Sequence, residues 1–396
     1  MSDRRTMRIG SLGQVVTGAT PRTGDDAAWG NEVDFVTPTE MSYTERGLSE
    51  CRKLSQRGFD SLQRRLVPAG SISFACIGFS TGKVAQLPCP AVTNQQVNTL
   101  IPDPAIVNSD FAYYLLRFRA ADIRYIASGS TTPIVNKSTF EAFEVSVPDL
   151  SVQEAIASVL GALDDKIAVN ERSGGTSLRL ADALFSSACQ GLGFGPATFG
   201  SVATVAGGGT PRTKVDEYWG GDIAWTTPTD VTGLPSPYLF ETSRTITAEG
   251  LENCASQLYP AHSVFMTSRA TIGAFALPQM PAAVNQGFIV VLPPTDELRW
   301  WLLHEMRSRV EEMIGLANGS VFLELSRKNF KAMPIRLPAD SDVAAFATAV
   351  SPLHERAAQA AAESRTLAAL RDTLLPQLMS GKLRVRDAER IVEDAV

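Results

Sequence analysis

Short apolar runs and long stretches of helical periodicity alternate along this chain of 396 residues. The short runs are bounded by glycine and proline, which is typical of strands between turns. Other segments carry apolar residues at steps of three and four, which predicts helices. The predicted strands are 71–77, 143–147, 263–266 and 288–292, and the predicted helices beside them are 111–125 and 296–314. The pattern therefore predicts a mixed α/β (α+β) class.

Two longer helical stretches follow Pro148 and Pro338. Apolar steps of three and four continue over roughly 35 residues in each, which describes a coiled-coil seam about 50 Å long. Either each helix packs separately on its own globular part, or the two helices pair with each other. Their similar length and their occurrence once in each half of the chain favour pairing.

Local residues predict where these two helices start and where they weaken. Ser151 and Glu154 stand at the N-cap and N3 positions of a capping box, so the first helix is predicted to begin at Ser151. The Gly174-Gly175 pair is expected to loosen this helix. Pro376 is expected to kink the second helix near its end.

Short motifs between the apolar runs occur twice in the sequence, at an offset of 190 to 192 residues. The repeated features are Thr20-Pro21-Arg22-Thr23 with Thr210-Pro211-Arg212-Thr213, Trp29 with Trp219, Thr37-Pro38-Thr39 with Thr227-Pro228-Thr229, Asn94-Gln95 with Asn285-Gln286, Gly129-Ser130 with Gly319-Ser320, Phe140 with Phe330, and Pro148 with Pro338. This period exceeds the roughly 50 residues of a solenoid repeat. Each copy is as large as a domain, so the chain is predicted to be a duplicated two-part unit.

Composition places the chain among ordinary globular proteins. Hydrophobic residues make up 44% and charged residues 20%, and no apolar run approaches the roughly 20 residues that cross a bilayer. No apolar signal core follows Met1, which predicts a cytoplasmic protein. The five cysteines form no CxxC pair, so neither a zinc site nor a disulfide framework is indicated.

Net charge gives no support to nucleic-acid binding. The chain carries −6, with 15 basic and 15 acidic residues in 1–150 and 11 basic and 14 acidic residues in 195–340. A domain that binds nucleic acid usually has a basic excess. A local basic face is nevertheless compatible with a neutral total.

Motifs of catalysis are missing from the sequence. The three histidines are scattered and none recurs at the repeat offset, which leaves little for a metal site or a catalytic triad. Gly78 to Lys83 has one residue too few for a phosphate loop, and Val84 stands where Ser or Thr would bind magnesium. No Asn-Pro-Pro-Tyr or Asp-Pro-Pro-Tyr sequence is present. The sequence therefore predicts a protein that is not an enzyme and holds no metal or cofactor.

Polar loops supply the candidate contacts to nucleic acid. Hydroxyls, backbone N–H groups and cations in the segments 128–133 and 318–320 and in the residues after them suit phosphate contacts. Positions kept in both copies, such as Asn94 and Gln95, are more economically explained by internal hydrogen bonds than by reading adenine edges. Positions that differ between the copies are the better candidates for reading sequence. The predicted DNA contacts are Arg22, Arg57, Arg64, Lys83, Asn136, Lys137, Arg212, Arg244, Ser268, Arg269, Arg327 and Lys328.

A resemblance to a known family rests on the order of several short strings. These strings are Gly208-Gly209-Thr210-Pro211, Tyr218-Trp219-Gly220-Gly221-Asp222-Ile223-Ala224-Trp225, Ile246-Thr247-Ala248-Glu249-Gly250-Leu251, Thr267-Ser268-Arg269-Ala270-Thr271-Ile272-Gly273, Asn285-Gln286-Gly287-Phe288, and Leu374-Leu375-Pro376-Gln377-Leu378-Met379-Ser380-Gly381-Lys382-Leu383. In this order, and duplicated, they resemble the DNA-specificity (S) subunit of Type I restriction-modification systems. The first copy departs at Phe79-Ser80-Thr81-Gly82 and at Asn94-Gln95-Gln96, which bears on the geometry of its loops.

The resemblance implies a division into two target-recognition domains and two conserved spacer helices that pair antiparallel. The first head is residues 1–150 and the second head is 195–340, with spacer helices in 151–194 and 341–396. It further implies that each head reads one half of an asymmetric split DNA site. The helices would dock two methyltransferase subunits, which use S-adenosylmethionine, and motor-endonuclease subunits would complete the complex. The predicted docking positions are Ile156, Leu163, Ile167, Leu353, Leu367 and Leu374.

Two other functions stay open at this point. The chain can be the specificity subunit of a methyltransferase-only or phage-defence system. It can also be a duplicated protein-interaction scaffold that never touches DNA.

Overall fold

The computed structural model describes residues 4–126, 134–318 and 323–394. The predicted loop 128–133 and the repeated Gly319-Ser320 pair lie outside these residues. The described chain forms two compact units. Unit 1 comprises Met1–Ile167 and Thr366–Val396, and unit 2 comprises Ala168–Arg365. Each unit therefore combines one head with part of both spacer segments, and the four predicted domain boundaries stay predictions.

Unit 1 is built from short strands and helices. Its strands are β1 (Arg5–Arg8), β2 (Gly13–Thr17), β3 (Trp29–Gly30), β4 (Val33–Val36), β5 (Arg52–Leu54), β6 (Leu66–Val67), β7 (Ile72–Ala75), β8 (Val84–Gln86), β9 (Ala91–Thr93), β10 (Val97–Pro102) and β11 (Glu144–Val147). Its first helices are α1 (Gln56–Leu62), α2 (Ser109–Ile126) and α3 (Lys137–Ala142), and α4 (Leu150–Ala188) begins in this unit.

Unit 2 contains the second set of strands and helices. Its elements are α5 (Phe199–Val202), β12 (Thr204–Ala206), β13 (Trp219–Thr226), α6 (Pro228–Thr232), β14 (Tyr238–Leu239), β15 (Arg244–Ile246), α7 (Ala248–Glu252), β16 (Val264–Arg269), β17 (Thr271–Pro278), β18 (Ala282–Val284), β19 (Phe288–Leu292), α8 (Asp296–Arg307), α9 (Val310–Gly315) and α10 (Arg327–Ala332). The helix α11 (Asp340–Ser380) follows, and α12 (Val385–Glu393) belongs to unit 1.

The two units share one sheet topology. In unit 1 the antiparallel strand order β2-β10-β7-β8 forms one sheet, and β3-β5-β4-β9-β6 forms another in which β4 and β9 run parallel. In unit 2 the order β12-β19-β16-β17-β14 corresponds to the first sheet. The order β15-β13-β18, with β13 and β18 parallel, corresponds to the middle of the second. The sequence repeat is therefore a repeat of strand order and strand direction, and the predicted mixed class is confirmed.

The long helices α4 and α11 pack on each other antiparallel. In unit 2 the Asn170 amide donates to Glu363 at 2.9 Å, and the Phe185 and Phe346 rings lie 5.6 Å apart. Positions that rise along α4 therefore meet positions that fall along α11. In unit 1 the apolar side chains of both helices join the core of the first head, among them Leu160 and Leu378. Each such leucine stabilises the unit by about 1.5–3 kcal/mol.

Two expected helix boundaries are wrong. Helix α4 begins at Leu150, so Ser151 lies in its first turn, and the Asp149 carbonyl accepts the N–H groups of Val152 and Gln153. The Gly174-Gly175 pair does not interrupt α4, and the loosening expected there stays a prediction. A side-chain carbon at Gly174 would lie 3.7 Å from the Ala357 Cα, so the glycine sits where the helices approach closely.

The predicted single helix 296–314 is also wrong. It is divided into α8 and α9 because Arg309 leaves helical geometry at φ −125° and ψ 22°. Its guanidinium donates to Glu305, which is fully buried, and to Glu312. Two carboxylates thus hold Arg309 at the break, and apolar spacing gives no sign of this.

Candidate nucleic-acid interface

The repeated Thr-Pro-Arg-Thr turn is anchored in the same way in both units. A side-chain carbon at Gly18 would lie 2.0 Å from the Thr93 carbonyl oxygen, and one at Gly208 would lie 1.9 Å from the Val284 carbonyl oxygen. Only glycine permits such an approach. The next backbone N–H donates to the same carbonyl in each unit, at 2.9 and 3.1 Å. The turn is thus fixed to the end of β9 in unit 1 and of β18 in unit 2.

The side chains of this turn separate into buried and exposed positions. Pro21 and Pro211 are buried, whereas Arg22 and Arg212 are exposed. Neither arginine makes a side-chain hydrogen bond or ion pair within the described residues. The proline packs the turn against the head and the arginine projects from it.

A threonine of the turn orients a glutamine in both units. The Thr20 hydroxyl donates to Gln95 Oε1 at 2.5 Å, and the Thr210 hydroxyl donates to Gln286 Oε1 at 2.7 Å. The asparagine before each glutamine accepts a backbone N–H two residues ahead, at 3.0 and 2.8 Å. The internal hydrogen bonding predicted for these four amides is confirmed. Both glutamines are nevertheless exposed, so the far side of each amide faces solvent.

A tryptophan beneath an arginine also recurs. The Arg52 guanidinium carbon lies 3.3 Å from the centre of the Trp29 ring, and that of Arg244 lies 3.5 Å from the centre of the Trp219 ring. A second aromatic ring packs edge-on to each tryptophan at about 5 Å, as is typical of aromatic pairs. Arg244 was a predicted DNA contact, and its structural counterpart is Arg52. Sequence reasoning missed Arg52, although it is the arginine at an offset of 192.

Four of the predicted contacts hold partners inside their own unit. Arg57 lies 3.3 Å from Asp25, Lys137 lies 3.5 Å from Glu141, and Arg269 lies 2.8 Å from Glu324. Lys83 donates to the Pro38 carbonyl at 2.9 Å. These cations are partly neutralised or tethered, which makes them weaker candidates for phosphate contacts.

The other predicted contacts differ in exposure. Arg64, Arg327 and Lys328 are exposed, and within the described residues they make no hydrogen bond or ion pair through their side chains. Asn136 accepts the Thr139 N–H as the N-cap of α3. Ser268 is buried, so its hydroxyl is not presented at the surface. DNA contact by any of these residues stays a prediction.

The loop that differs between the copies contains an aromatic residue that sequence reasoning did not single out. Phe79 is 94% exposed in a short 3-10 turn after β7, and the Tyr43 hydroxyl donates to its carbonyl. In unit 2 the corresponding hairpin places Ala270 at φ +59°, where unit 1 has Gly78 at φ +73°. Both loops thus contain a residue with positive φ, but their backbones differ: β16 and β17 continue to Arg269 and Thr271, whereas residues 76–83 of unit 1 lie between β7 and β8.

The predicted docking positions lie inside the units. Ile156, Leu163, Leu367 and Leu374 are buried, and Ile167 and Leu353 are half-buried against the same cores. Docking of a partner through these side chains stays a prediction. The apolar side chains that α4 exposes are instead Val169, Leu180 and Leu184.

Two histidines that looked scattered in sequence meet in unit 2. His304 Nδ1 lies 2.7 Å from Asp182, and its Nε2 lies 3.0 Å from His354 Nε2. His354 Nδ1 lies 2.9 Å from the Tyr238 hydroxyl. This largely buried chain of polar groups joins α4, α8, α11 and β14. Directly bonded members are up to 122 residues apart in sequence, which no short motif reveals.

Stability is expected to fall in mild acid because of His354. Burial, followed by the electrostatic effects of the neighbours His304 and Arg307, lowers its pKa to about 3 from 6.5. The His354 imidazole is therefore protonated near pH 6.5 in the unfolded chain but only near pH 3 in the folded chain. The free energy of unfolding is expected to fall by about 1.4 kcal/mol per pH unit below about pH 6. Urea unfolding of the native chain and His354→Gln between about pH 7 and pH 4.5 measures this, and equal slopes would contradict it.

Neither a metal cluster nor a membrane helix is found in the part of the chain that the structure describes. No three His, Cys, Asp or Glu side chains there are placed to hold a metal ion. None of its helices combines the length and apolarity that crossing a membrane requires.

Comparison with known proteins decides the family. The model of the Type I restriction modification DNA specificity domain matches residues 1–173 and again residues 193–353. The chain belongs to this family. The two matches cover both copies of the repeat, which agrees with the duplicated sheet topology.

Individual specificity subunits resemble parts of the chain. The Type I restriction enzyme MjaIX specificity subunit of Methanocaldococcus jannaschii is 34% identical over 152 residues, or 38% of this chain and 35% of that protein. The HindI specificity subunit of Haemophilus influenzae is 29% identical over 147 residues, or 36% of this chain and 32% of that protein. These alignments span about a third of the length of each relative.

A solved structure resembles nearly the whole chain. The crystal structure of the Type I restriction-modification system S subunit from M. genitalium superposes with a TM-score of 0.60 at 16% identity. The match covers 95% of this chain and 96% of that one. At this identity the likeness shows the fold of the specificity-domain family, with its two similar parts and its long helices.

Proposed function

We propose that this specificity-domain protein is the DNA-reading subunit of a Type I restriction-modification complex. Each head reads one half of an asymmetric split site. The observation that carries the proposal is the duplicated Thr-Pro-Arg-Thr turn. The same glycine contact and the same Thr–Gln hydrogen bond hold it in both units, while the loops after β7 and β16 differ. Two heads that share these contacts but differ in their loops suit two DNA half-sites of different sequence.

The chemistry is proposed to lie on partner subunits in the cytoplasm. Two methyltransferase subunits would bind S-adenosylmethionine and methylate adenine, and motor-endonuclease subunits would cleave DNA. The paired helices α4 and α11 are the proposed docking element for the methyltransferases. The exposed apolar side chains Leu180 and Leu184, one turn apart on α4, support this role. The histidines His304 and His354 are buried and bond to each other, so neither imidazole is presented at the surface, which supports a chain without catalysis of its own.

Exchange of one head tests the proposal directly. Residues 195–340 are replaced by the corresponding head of another specificity subunit, and methylated adenines are mapped in the host genome. We expect one half of the methylated motif to change and the other half to be retained, because each unit has its own sheets and core. The matched control exchanges residues 1–150 and should change the opposite half.

Two outcomes would contradict the proposal. If both halves of the motif change after one exchange, the heads do not read separately. If removal of the gene leaves genomic methylation unaltered and the chain co-purifies with no methyltransferase, it is a scaffold of another kind. Co-purification with a methyltransferase but no nuclease would assign it to a methyltransferase-only system.

A further inference from the structure

The exposed residues Arg52 and Arg244 occupy equivalent positions in the two units. Arg52 lies on β5 of the sheet β3-β5-β4-β9-β6, and Arg244 lies on β15 of the sheet β15-β13-β18. Trp29 pairs with Leu54 across β3 and β5, and Trp219 pairs with Ile246 across β13 and β15. In each case the arginine stands two residues before the partner of the tryptophan. Residues two apart in a strand share a face, so the arginine lies over the indole. The stack is therefore a product of strand register, and both copies have it.

Among the described residues, the guanidinium groups of these stacks contact aromatic rings but have no hydrogen-bonding or charged partner. Within residues 4–126, 134–318 and 323–394, neither Arg52 nor Arg244 makes a hydrogen bond or an ion pair through its side chain. The next cation on β5 behaves differently, because Lys53 lies 3.4 Å from Asp34. The stacked arginines thus keep full charge and all their N–H donors available at an exposed edge.

Stacking also prepares an arginine to bind an anion. A guanidinium presents a planar fork of N–H donors that matches two oxygens of a phosphate. At a centroid distance of 3.3 or 3.5 Å the indole covers one face of the group and leaves the edge with its donors free. Because the side chain is already held in place, less conformational entropy is lost on binding.

We propose that Arg52 and Arg244 are equivalent DNA phosphate contacts, one in each head, held ready by Trp29 and Trp219. This inference rests on the proposed function and adds a contact to the DNA phosphate backbone that does not depend on the base sequence. Phosphate contacts position a protein on the duplex, whereas base contacts specify the site. The two arginines therefore hold both half-sites alike, and the differing loops read them.

Salt dependence of DNA binding tests this proposal. The full complex is titrated with a labelled duplex that carries the methylated site, over a range of potassium chloride concentrations. Arg52→Ala and Arg244→Ala are each expected to weaken binding by roughly tenfold and to reduce the log–log salt slope by about 0.9, and the double variant by about 1.8. The methylated motif should be unchanged in all three. Arg384→Ala removes an exposed arginine at the N-cap of α12 that is paired with Asp387, and serves as the charge-matched control with an unaltered slope.

Substitution of the tryptophan separates the contribution of the arginine charge from that of its stacking on the indole. Trp29→Leu keeps Arg52 but removes its platform, so we expect weaker binding with the native salt slope. Arg52→Lys keeps the positive charge but loses the planar group. Compared with Arg52→Ala, it should therefore recover the native salt slope more fully than the native DNA affinity. Thermal unfolding of each variant checks that the head remains folded.

Two results would overturn the inference, and a third would reject the proposed function instead. A native salt slope in both arginine variants would show that the arginines only pack on tryptophan. A changed methylation motif would show that they read bases. Absence of site-specific binding by the unsubstituted complex would instead reject the proposed function itself.

Discussion

Replacement of Asp164 by alanine is expected to lower the free energy of unfolding by about 3–5 kcal/mol. Asp164 on α4 is 8% exposed and accepts hydrogen bonds from the Tyr114 hydroxyl at 2.6 Å and from the Arg371 guanidinium. Burial disfavours the charge of Arg371, but hydrogen bonds to Asp372 and Asp164 raise its pKa above the ordinary value. Removal of Asp164 would leave a guanidinium that is 4% exposed without its buried counter-ion. Urea unfolding of the full chain measures the loss.

Two further variants separate the buried charge from general damage to α4. Asp165→Ala changes the neighbouring exposed carboxylate, and we expect a change within about 0.5 kcal/mol. The double variant Asp164→Leu with Arg371→Met removes both charges and should recover much of the stability, since a buried ion pair adds little net stability over apolar packing. Equal stability of Asp164→Ala and Asp165→Ala would show that the ion pair does not hold α2, α4 and α11 together.

Gly208→Ala is expected to cost about 3 kcal/mol, because the added carbon overlaps backbone that has no room to move. The new Cβ would lie 1.9 Å from the Val284 carbonyl oxygen at the end of β18. Displacement of that contact moves the Thr-Pro-Arg-Thr turn away from Gln286. We therefore also expect the second half of the DNA site to be recognised less well, as read from genomic methylation.

Gly315→Ala is the matched control for this substitution. Gly315 ends α9, and a Cβ added there would have no neighbouring atom within 4 Å, so alanine should be neutral or should stabilise by up to about 1 kcal/mol. Gly18→Ala makes the equivalent change in unit 1, with an overlap at 2.0 Å. If Gly208→Ala were as stable as Gly315→Ala, the close approach would not be a requirement of the turn.

The residues repeated in the two halves of the chain make the same internal contacts in both units. The repeated residues form the frame of each head: glycines against carbonyls, threonines on glutamines and arginines on tryptophans. The frames therefore present equivalent cations in both units. Unequal features include loops such as that of Phe79, which has Thr271 and its neighbours as a counterpart. The proposed reading of two different half-sites is consistent with this combination of shared contacts and differing loops.

Local pattern was sufficient for most of the fold. Apolar steps of three and four predict α2, α4 and α11, because a helix that buries one face must repeat apolar residues at that spacing. Glycine and proline around short apolar runs predict strands such as β16 and β19, because turns need those residues. The repeat predicts two similar units, because similar sequences form similar cores. The family resemblance rests on the same ordered strings.

Tertiary structure alone decided which polar groups meet. Asp164 and Arg371 are 207 residues apart, and their pairing depends on the register between α4 and α11. His304 and His354 meet through packing of α8 on α11, and Arg309 divides a helix because Glu305 is buried beside it. Arg52 reaches Trp29 through strand pairing, and no local motif marks it. Periodicity records which side chains are buried, but the partner of a buried or stacked charge is set by distant backbone.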